Sequence, residues 1–89
     1  MSQEYFILSL VNSSGANLSW WRPNSSGYCW SLDHAGRYSE EQIKTFLHPE
    51  RDRPIPVEKV LEVAVRHVEF EEAEKLGVSV REIFKAQNS

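Results

Sequence analysis

The residues best suited to recognise a ligand are concentrated between positions 20 and 38. This stretch contains all three tryptophans of the 89-residue chain, together with two tyrosines and two arginines. Indole rings stack on planar ligands, and guanidinium groups bind phosphates or carboxylates through charged hydrogen bonds. We therefore expect this segment to carry a ligand-binding site.

A nucleotide-like ligand fits this set of residues. Trp21 and Tyr28 would stack on the base, while Arg22 and Arg37 would neutralise the phosphate. Turns and a helix start nearby would offer further hydrogen-bond donors to an anion. The remaining polar residues of this candidate site are Asn24, Ser26, Tyr38 and Ser39.

The same aromatic residues allow two other interpretations. Tyr28, Trp30 and Leu32 alternate along the chain, so Trp30 and Leu32 would also suit a core beneath a helix. Exposed Trp, Tyr and Arg side chains dominate the binding energy of many protein interfaces, which favours a protein partner instead. Adjacent strand residues point to opposite faces, and we place Trp20 in the core and Trp21 outside it.

The sequence contains no pattern typical of an enzyme or a metal site. His34, His48 and His67 fall in three separate elements without the spacing of metal ligands, and the single cysteine, Cys29, has no neighbouring histidine. Neither a glycine-rich phosphate loop nor a nucleophile elbow occurs. We therefore expect a binding protein without enzyme activity, metal or cofactor.

Charge and aromatic content divide the chain into two halves. Residues 1–39 carry two acidic and two basic residues and seven of the ten aromatics, whereas residues 40–89 supply the whole net charge of −3. Duplex nucleic-acid binding requires a basic face, which this composition does not provide. No apolar run is long enough for a signal peptide or a membrane span. We expect a cytoplasmic protein that binds neither duplex nucleic acid nor membranes.

Strands are expected before helices along the chain. Apolar alternation over residues 5–11, 18–22 and 28–32, with intervening Asn, Ser and Gly, predicts an antiparallel meander over residues 5–32. Helices are predicted over 40–47, 56–76 and 80–87 from capping boxes at Ser39 and Ser79, from Pro56 and from a helical apolar stripe.

This order predicts a single α+β domain over residues 1–89, with a three-stranded antiparallel sheet and two to three helices on one face. Small chains bury a limited share of their surface, and association of copies adds stability. We therefore expect a homo-oligomer, with the ligand pocket shared between protomers.

Several of these residues form a motif. It consists of Trp21-Arg22-Pro23-Asn24, then Gly27-Tyr28, then Ala35-Gly36-Arg37-Tyr38-Ser39-Glu40. The motif resembles that of a group of small phage and prophage proteins, over roughly residues 5–60. This resemblance implies a phage origin and assigns no role to any single residue.

Small non-enzymatic phage proteins often counteract host defence. From the resemblance we expect an accessory protein that sequesters a nucleotide-like immune signal in the host cytoplasm. The alternative is an inhibitor that binds a host defence protein through its aromatic face or its acidic helix. A third possibility is a structural or regulatory phage protein.

Overall fold

A computed structural model describes residues 3–14, 17–63 and 68–87. The strands are β1 (Glu4–Ser14), β2 (Asn17–Trp21), β3 (Tyr28–Cys29), β4 (Tyr38–Ser39) and β5 (Asp52–Pro56). The α-helices are α1 (Glu40–Phe46), α2 (Val57–Val63) and α3 (Val80–Gln87), and 3₁₀ helices span Pro23–Ser25 and Phe70–Leu76. Within these ranges, no helix has the length and apolar content needed to cross a bilayer.

β1 is the centre of a five-stranded antiparallel sheet. Leu8 of β1 faces Trp20 of β2 on one side and Arg53 of β5 on the other. Tyr5, nearer the start of β1, faces Tyr38 of β4 and also pairs with β5. β2 and β4 therefore follow one another along one edge of β1, and β5 occupies its other edge. β3 extends the sheet beyond β2.

The α+β class predicted from the sequence is confirmed, but the sheet has two more strands than predicted. β4 contains only two residues, which is too short to show an alternating pattern. β5 carries Pro54 and Pro56, which indicated a loop and a helix start. Proline is tolerated in edge strands, and within the described residues β5 pairs with β1 alone.

The main hydrophobic core lies on one face of the sheet, called here the core face. Phe6, Leu8 and Leu10 of β1 pack there with Trp20, whose ring meets that of Phe6 edge-on at 5.9 Å. α2, the second 3₁₀ helix and α3 cover this face. Their buried side chains include Val57, Val60, Ala73, Leu76, Ile83 and Ala86.

Trp20 is fully buried, which confirms its predicted place in the core. The prediction that Leu32 is buried is also confirmed, whereas the core interpretation of Trp30 is wrong because its side chain is 59% exposed. β3 ends at Cys29, and Tyr28, with which Trp30 was expected to share a face, pairs with Trp21 rather than with the buried Trp20.

The opposite face of the sheet, called here the cleft face, is crossed by α1. The helix joins β4 to β5, which lie on opposite edges of β1, and the Tyr5 hydroxyl donates to Glu40 Oε1 over 3.1 Å. Ile7 and Tyr38 are buried on this face. The start of α1 therefore contacts the cleft face, whereas the sequence predicted all the helices on one face.

α1 begins where its capping box predicted. The Ser39 hydroxyl accepts from the Gln42 amide over 3.2 Å, and Gln42 Oε1 accepts from the Ser39 amide over 2.9 Å. The helix predicted over 40–47 spans Glu40–Phe46 in the structure. The helix predicted over 80–87 corresponds to α3, and the Ser79 hydroxyl accepts from the Glu82 amide.

The helix predicted over 56–76 is not continuous. α2 ends at Val63 within the described residues, and Glu69 pairs with Asn17 in an isolated β-bridge before the second 3₁₀ helix begins. Residues 64–67, where the predicted helix would continue, lie outside the described residues. Gly77 ends the 3₁₀ helix in a left-handed conformation with φ of 82°, as its predicted capping role requires.

Candidate functional site

A cleft of about 120 Å³ opens on the cleft face of the sheet. It lies between the strands β1, β2 and β3 and the loop that follows α1. The residues that line it are Ser9, Val11, Asn12, Trp21, Tyr28, His48, Arg51 and Asp52. Pockets for drug-sized molecules measure roughly 300–1,000 Å³, so this cleft has room for a single ring system or a small anion.

Two aromatic side chains form one wall of the cleft. Trp21 and Tyr28 are directly paired across β2 and β3, so they lie on the same face of the sheet. Their rings meet edge-on, with centroids 5.9 Å apart, and the Trp21 ring meets Tyr38 similarly at 6.3 Å. These edge-to-face pairs fix the orientation of the indole ring.

A buried carboxylate lies beside the Trp21 indole. Asp52 is 5% exposed, and its Oδ1 atom accepts a hydrogen bond from Trp21 Nε1 over 3.1 Å. Pairing with Ser9 of β1 sets the position of Asp52, and its amide donates to the His48 carbonyl over 2.8 Å. The cleft therefore combines an aromatic wall with a fixed hydrogen-bond acceptor.

The mouth of the cleft carries basic side chains. His48 and Arg51 are exposed and belong to the loop between α1 and β5. The Leu10 amide donates to the Arg51 carbonyl over 2.8 Å, which fastens this loop to β1. A charged guanidinium at this position suits an anionic part of a ligand whose ring lies in the cleft.

Arg22 and Arg37, which the sequence grouped with Trp21 and Tyr28, do not line the cleft. Arg22 follows Trp21 in the chain, and its Nε atom donates to the Tyr28 carbonyl over 3.1 Å. Arg37 lies over the Phe6 ring at 5.8 Å and pairs with Glu4 at 3.7 Å. Glu4 precedes Ser9 by five residues, or roughly 17 Å along an extended strand.

The polar residues of the sequence-based site take part in turns and caps. Asn24 has φ of 58° in the turn between β2 and β3, where the Ser26 hydroxyl donates to the Pro23 carbonyl over 2.8 Å. Tyr38 is 2% exposed, and Ser39 caps α1. The structure therefore places Trp21 and Tyr28 in the cleft and the other six predicted residues outside it.

The Tyr38 hydroxyl connects β4 to the turn after β2. It donates to the Arg22 carbonyl and accepts from the Ser25 amide over 3.1 Å. Gly36 strengthens the same connection, since its amide donates to the Trp21 carbonyl over 2.8 Å. These bonds fix the backbone at Trp21 and in the turn that connects Trp21 to Tyr28, the two residues of the aromatic wall.

Cys29 lies next to the aromatic wall in sequence but is poorly suited to react. Burial raises the pKa of its thiol, and the nearby Arg22 guanidinium only partly opposes this effect. Thiolates rather than thiols act as nucleophiles, so a raised pKa lowers reactivity near neutral pH.

The sequence analysis missed six of the eight residues that line the cleft, and three of these six are His48, Arg51 and Asp52. These three lie 20 or more residues after Tyr28 in a segment that resembles a charged loop, and only the pairing of β5 with β1 brings them to the aromatic wall. The local sequence gives no signal of this contact.

No three His, Cys, Asp or Glu side chains among residues 3–14, 17–63 and 68–87 are placed to share a metal ion. Fold and site together define an α+β protein with a small aromatic cleft on the face of its sheet opposite the main core. Comparisons with protein-family models, curated proteins and solved structures found no match for this chain.

Proposed function

We propose that this protein binds a nucleotide-like ligand in the aromatic cleft and does not convert it. The observation that carries the proposal is the position of Trp21 and Tyr28 beside the buried Asp52, with Arg51 at the mouth. Stacking of a base on an aromatic ring contributes about 1–3 kcal/mol. Arg51 would bind the phosphate from the mouth, in place of the Arg22 and Arg37 suggested by the sequence.

The proposed biological role follows from the resemblance to small phage proteins. Trp21 and Tyr28 belong to the motif that carries this resemblance, and both line the cleft. We propose a counter-defence factor that sequesters a nucleotide immune signal in the host cytoplasm. The cleft covers only one ring, so a second copy of the chain would cover the rest of the ligand in a homo-oligomer.

The proposal is tested by titrating the full chain with nucleoside monophosphates, cyclic dinucleotides and ADP-ribose. Binding raises the melting temperature, and a ligand at 100 times its Kd stabilises the folded state by about 2.7 kcal/mol. The bound compound should be recovered intact after denaturation. A protein that shows neither a melting shift nor a change in tryptophan emission with any of these compounds contradicts the proposal.

Arg51→Gln and Tyr28→Ala locate the binding site. Both side chains are exposed, so the variants should fold, and each should weaken binding by about tenfold or more because a phosphate contact or a stacking partner is lost. Arg37→Gln and Phe84→Ala are the matched controls, since these exposed side chains lie outside the cleft. Loss of binding in Arg37→Gln but not in Arg51→Gln would favour the arrangement predicted from the sequence.

One observation favours the alternative of a host-protein inhibitor. Trp30, next to the short edge strand β3, is 59% exposed, and large exposed aromatics are typical centres of protein interfaces. Under this alternative, affinity capture from host cells should recover one partner with the unmodified chain and lose it with Trp30→Ala. Nucleotides would then leave the melting temperature unchanged.

A further inference from the structure

We infer that the cleft selects a planar heterocycle with N–H donors along its edge, of the guanine type, and that Asp52 recognises that edge. This inference rests on the proposed function and specifies the class of base that the cleft accepts. Three properties of Asp52 carry it: its free acceptor capacity, its lack of an ion-pair partner within residues 3–14, 17–63 and 68–87, and its position beside the aromatic wall.

Asp52 has acceptor capacity that the protein does not use. An ionised carboxylate offers about four acceptor positions on its two oxygens. Within the described part of the chain, its side chain accepts one hydrogen bond, from Trp21 Nε1 to Oδ1. Asp52 is only 5% exposed, but it lines the cleft. Its remaining acceptor positions are therefore available to a ligand bound there.

No basic side chain in the described part of the chain forms an ion pair with Asp52. The ion pairs among the described residues are Arg37–Glu4, Arg53–Glu82 and Lys75–Glu72. The neighbouring Arg51 is not a member of any of these pairs. A ligand that donates to this carboxylate forms a charge-assisted hydrogen bond.

The aromatic wall and the carboxylate together distinguish purine bases. Trp21 and Tyr28 offer contacts to the ring of any base, because every base has a π-face. Guanine presents its N1–H and amine as neighbouring donors, which match a carboxylate. Adenine presents a ring nitrogen acceptor next to its amine, and this acceptor is repelled by Asp52. Stacking therefore supplies affinity for any base, and Asp52 supplies the preference for guanine over adenine.

The experiment is an equilibrium titration of the full chain with guanosine, inosine and adenosine, followed by tryptophan emission. Inosine keeps N1–H and lacks the amine, so affinity should decrease in the order guanosine, inosine, adenosine. One charge-assisted hydrogen bond corresponds to about a tenfold difference in Kd. We expect guanosine to bind about tenfold more tightly than adenosine.

Asp52→Asn tests the role of the carboxylate. The amide oxygen still accepts from the Trp21 indole. The other carboxylate oxygen, which would accept from the ligand, is replaced by an NH₂ group that donates. Guanosine binding should weaken by about tenfold and adenosine binding should not. Xanthosine, which carries a carbonyl where guanosine carries the amine, should bind the variant more tightly than the unmodified protein.

The outcomes separate this inference from the function on which it rests. Equal affinity for guanosine and adenosine overturns the guanine preference and leaves nucleotide binding intact. Absence of binding to every nucleoside and nucleotide overturns both. If Asp52→Asn does not fold, the order of the three nucleosides with the unmodified chain decides, and any order other than guanosine first contradicts the inference.

Discussion

Tyr38 shows how a single buried hydroxyl can hold a binding surface together. It donates to the Arg22 carbonyl and accepts from the Ser25 amide, so it fixes the backbone immediately after Trp21. Its ring also contacts the Trp21 ring edge-on. The residue belongs to the motif seen in the sequence, and its position indicates support of the aromatic wall rather than contact with a ligand.

We expect Tyr38→Phe to destabilise the protein by about 1–3 kcal/mol, because the change leaves a carbonyl and an amide without their shared partner. For a domain of this size, each kcal/mol lowers the melting temperature by roughly 4–8 °C. Tyr28→Phe is the matched control, since Tyr28 is 45% exposed and its change should stay within about 0.5 kcal/mol. Equal melting temperatures of the two variants would show that the buried hydroxyl has no such role.

Short strands such as β5 are the elements that local sequence patterns did not predict. β1 and β2 were predictable because aromatic and β-branched residues mark them directly. β5 reads Asp-Arg-Pro-Ile-Pro, and it becomes a strand only because β1 leaves an edge free for it, more than 40 residues earlier in the chain. A contact of this kind depends on tertiary packing and leaves no periodicity in the local sequence.

The candidate site was likewise predictable only where its residues depend on local strand pairing. Trp21 and Tyr28 were identified from residue type and alternation alone, since the pairing of β2 with β3 is local. Asp52 and Arg51 depend on the position of β5 and could not be found in this way. Arg37 was grouped with the site because it precedes the capped start of a helix, but its side chain lies against Phe6 and Glu4.

The loop before β4 approaches the turn after β2 so closely that only glycine fits at position 36. A Cβ atom on Gly36 would lie 2.7 Å from both the nitrogen and the Cα of Pro23. Because these are backbone atoms, Gly36→Ala must displace the turn, and overpacking of this kind costs about 1–3 kcal/mol. Thermal unfolding should show this loss, together with weaker ligand binding, since the Trp21 carbonyl bonded to Gly36 moves.

Asp33→Ala is the control for this prediction. Asp33 lies in the same loop and is exposed, so its replacement should change stability by no more than about 0.5 kcal/mol. If Gly36→Ala unfolds at the temperature of the control, the two segments do not approach as closely as the structure indicates.

The molecule as a whole is organised around β1, which contributes side chains to both layers. Leu8 belongs to the core beneath α2 and α3, while Ile7, its neighbour in the chain, is fully buried on the face crossed by α1. Because β1 contributes to the packing on both faces of the sheet, loss of the packing on one face also removes the strand that supports the other face. A chain of this length also has little stability in reserve, so partial unfolding of one layer should not leave the second layer intact.

We therefore expect both layers to unfold in one cooperative transition. The Trp21→Phe/Trp30→Phe variant retains Trp20 as a probe of the core face, and the Trp20→Phe/Trp30→Phe variant retains Trp21 as a probe of the cleft face. In each variant, the urea midpoint from tryptophan emission should equal the midpoint from far-ultraviolet circular dichroism, which follows the helices. The comparison is made within each variant, so a loss of stability from the substitutions does not affect it. A Trp21 transition at lower urea than the loss of helix would show that the cleft face opens while the main core persists.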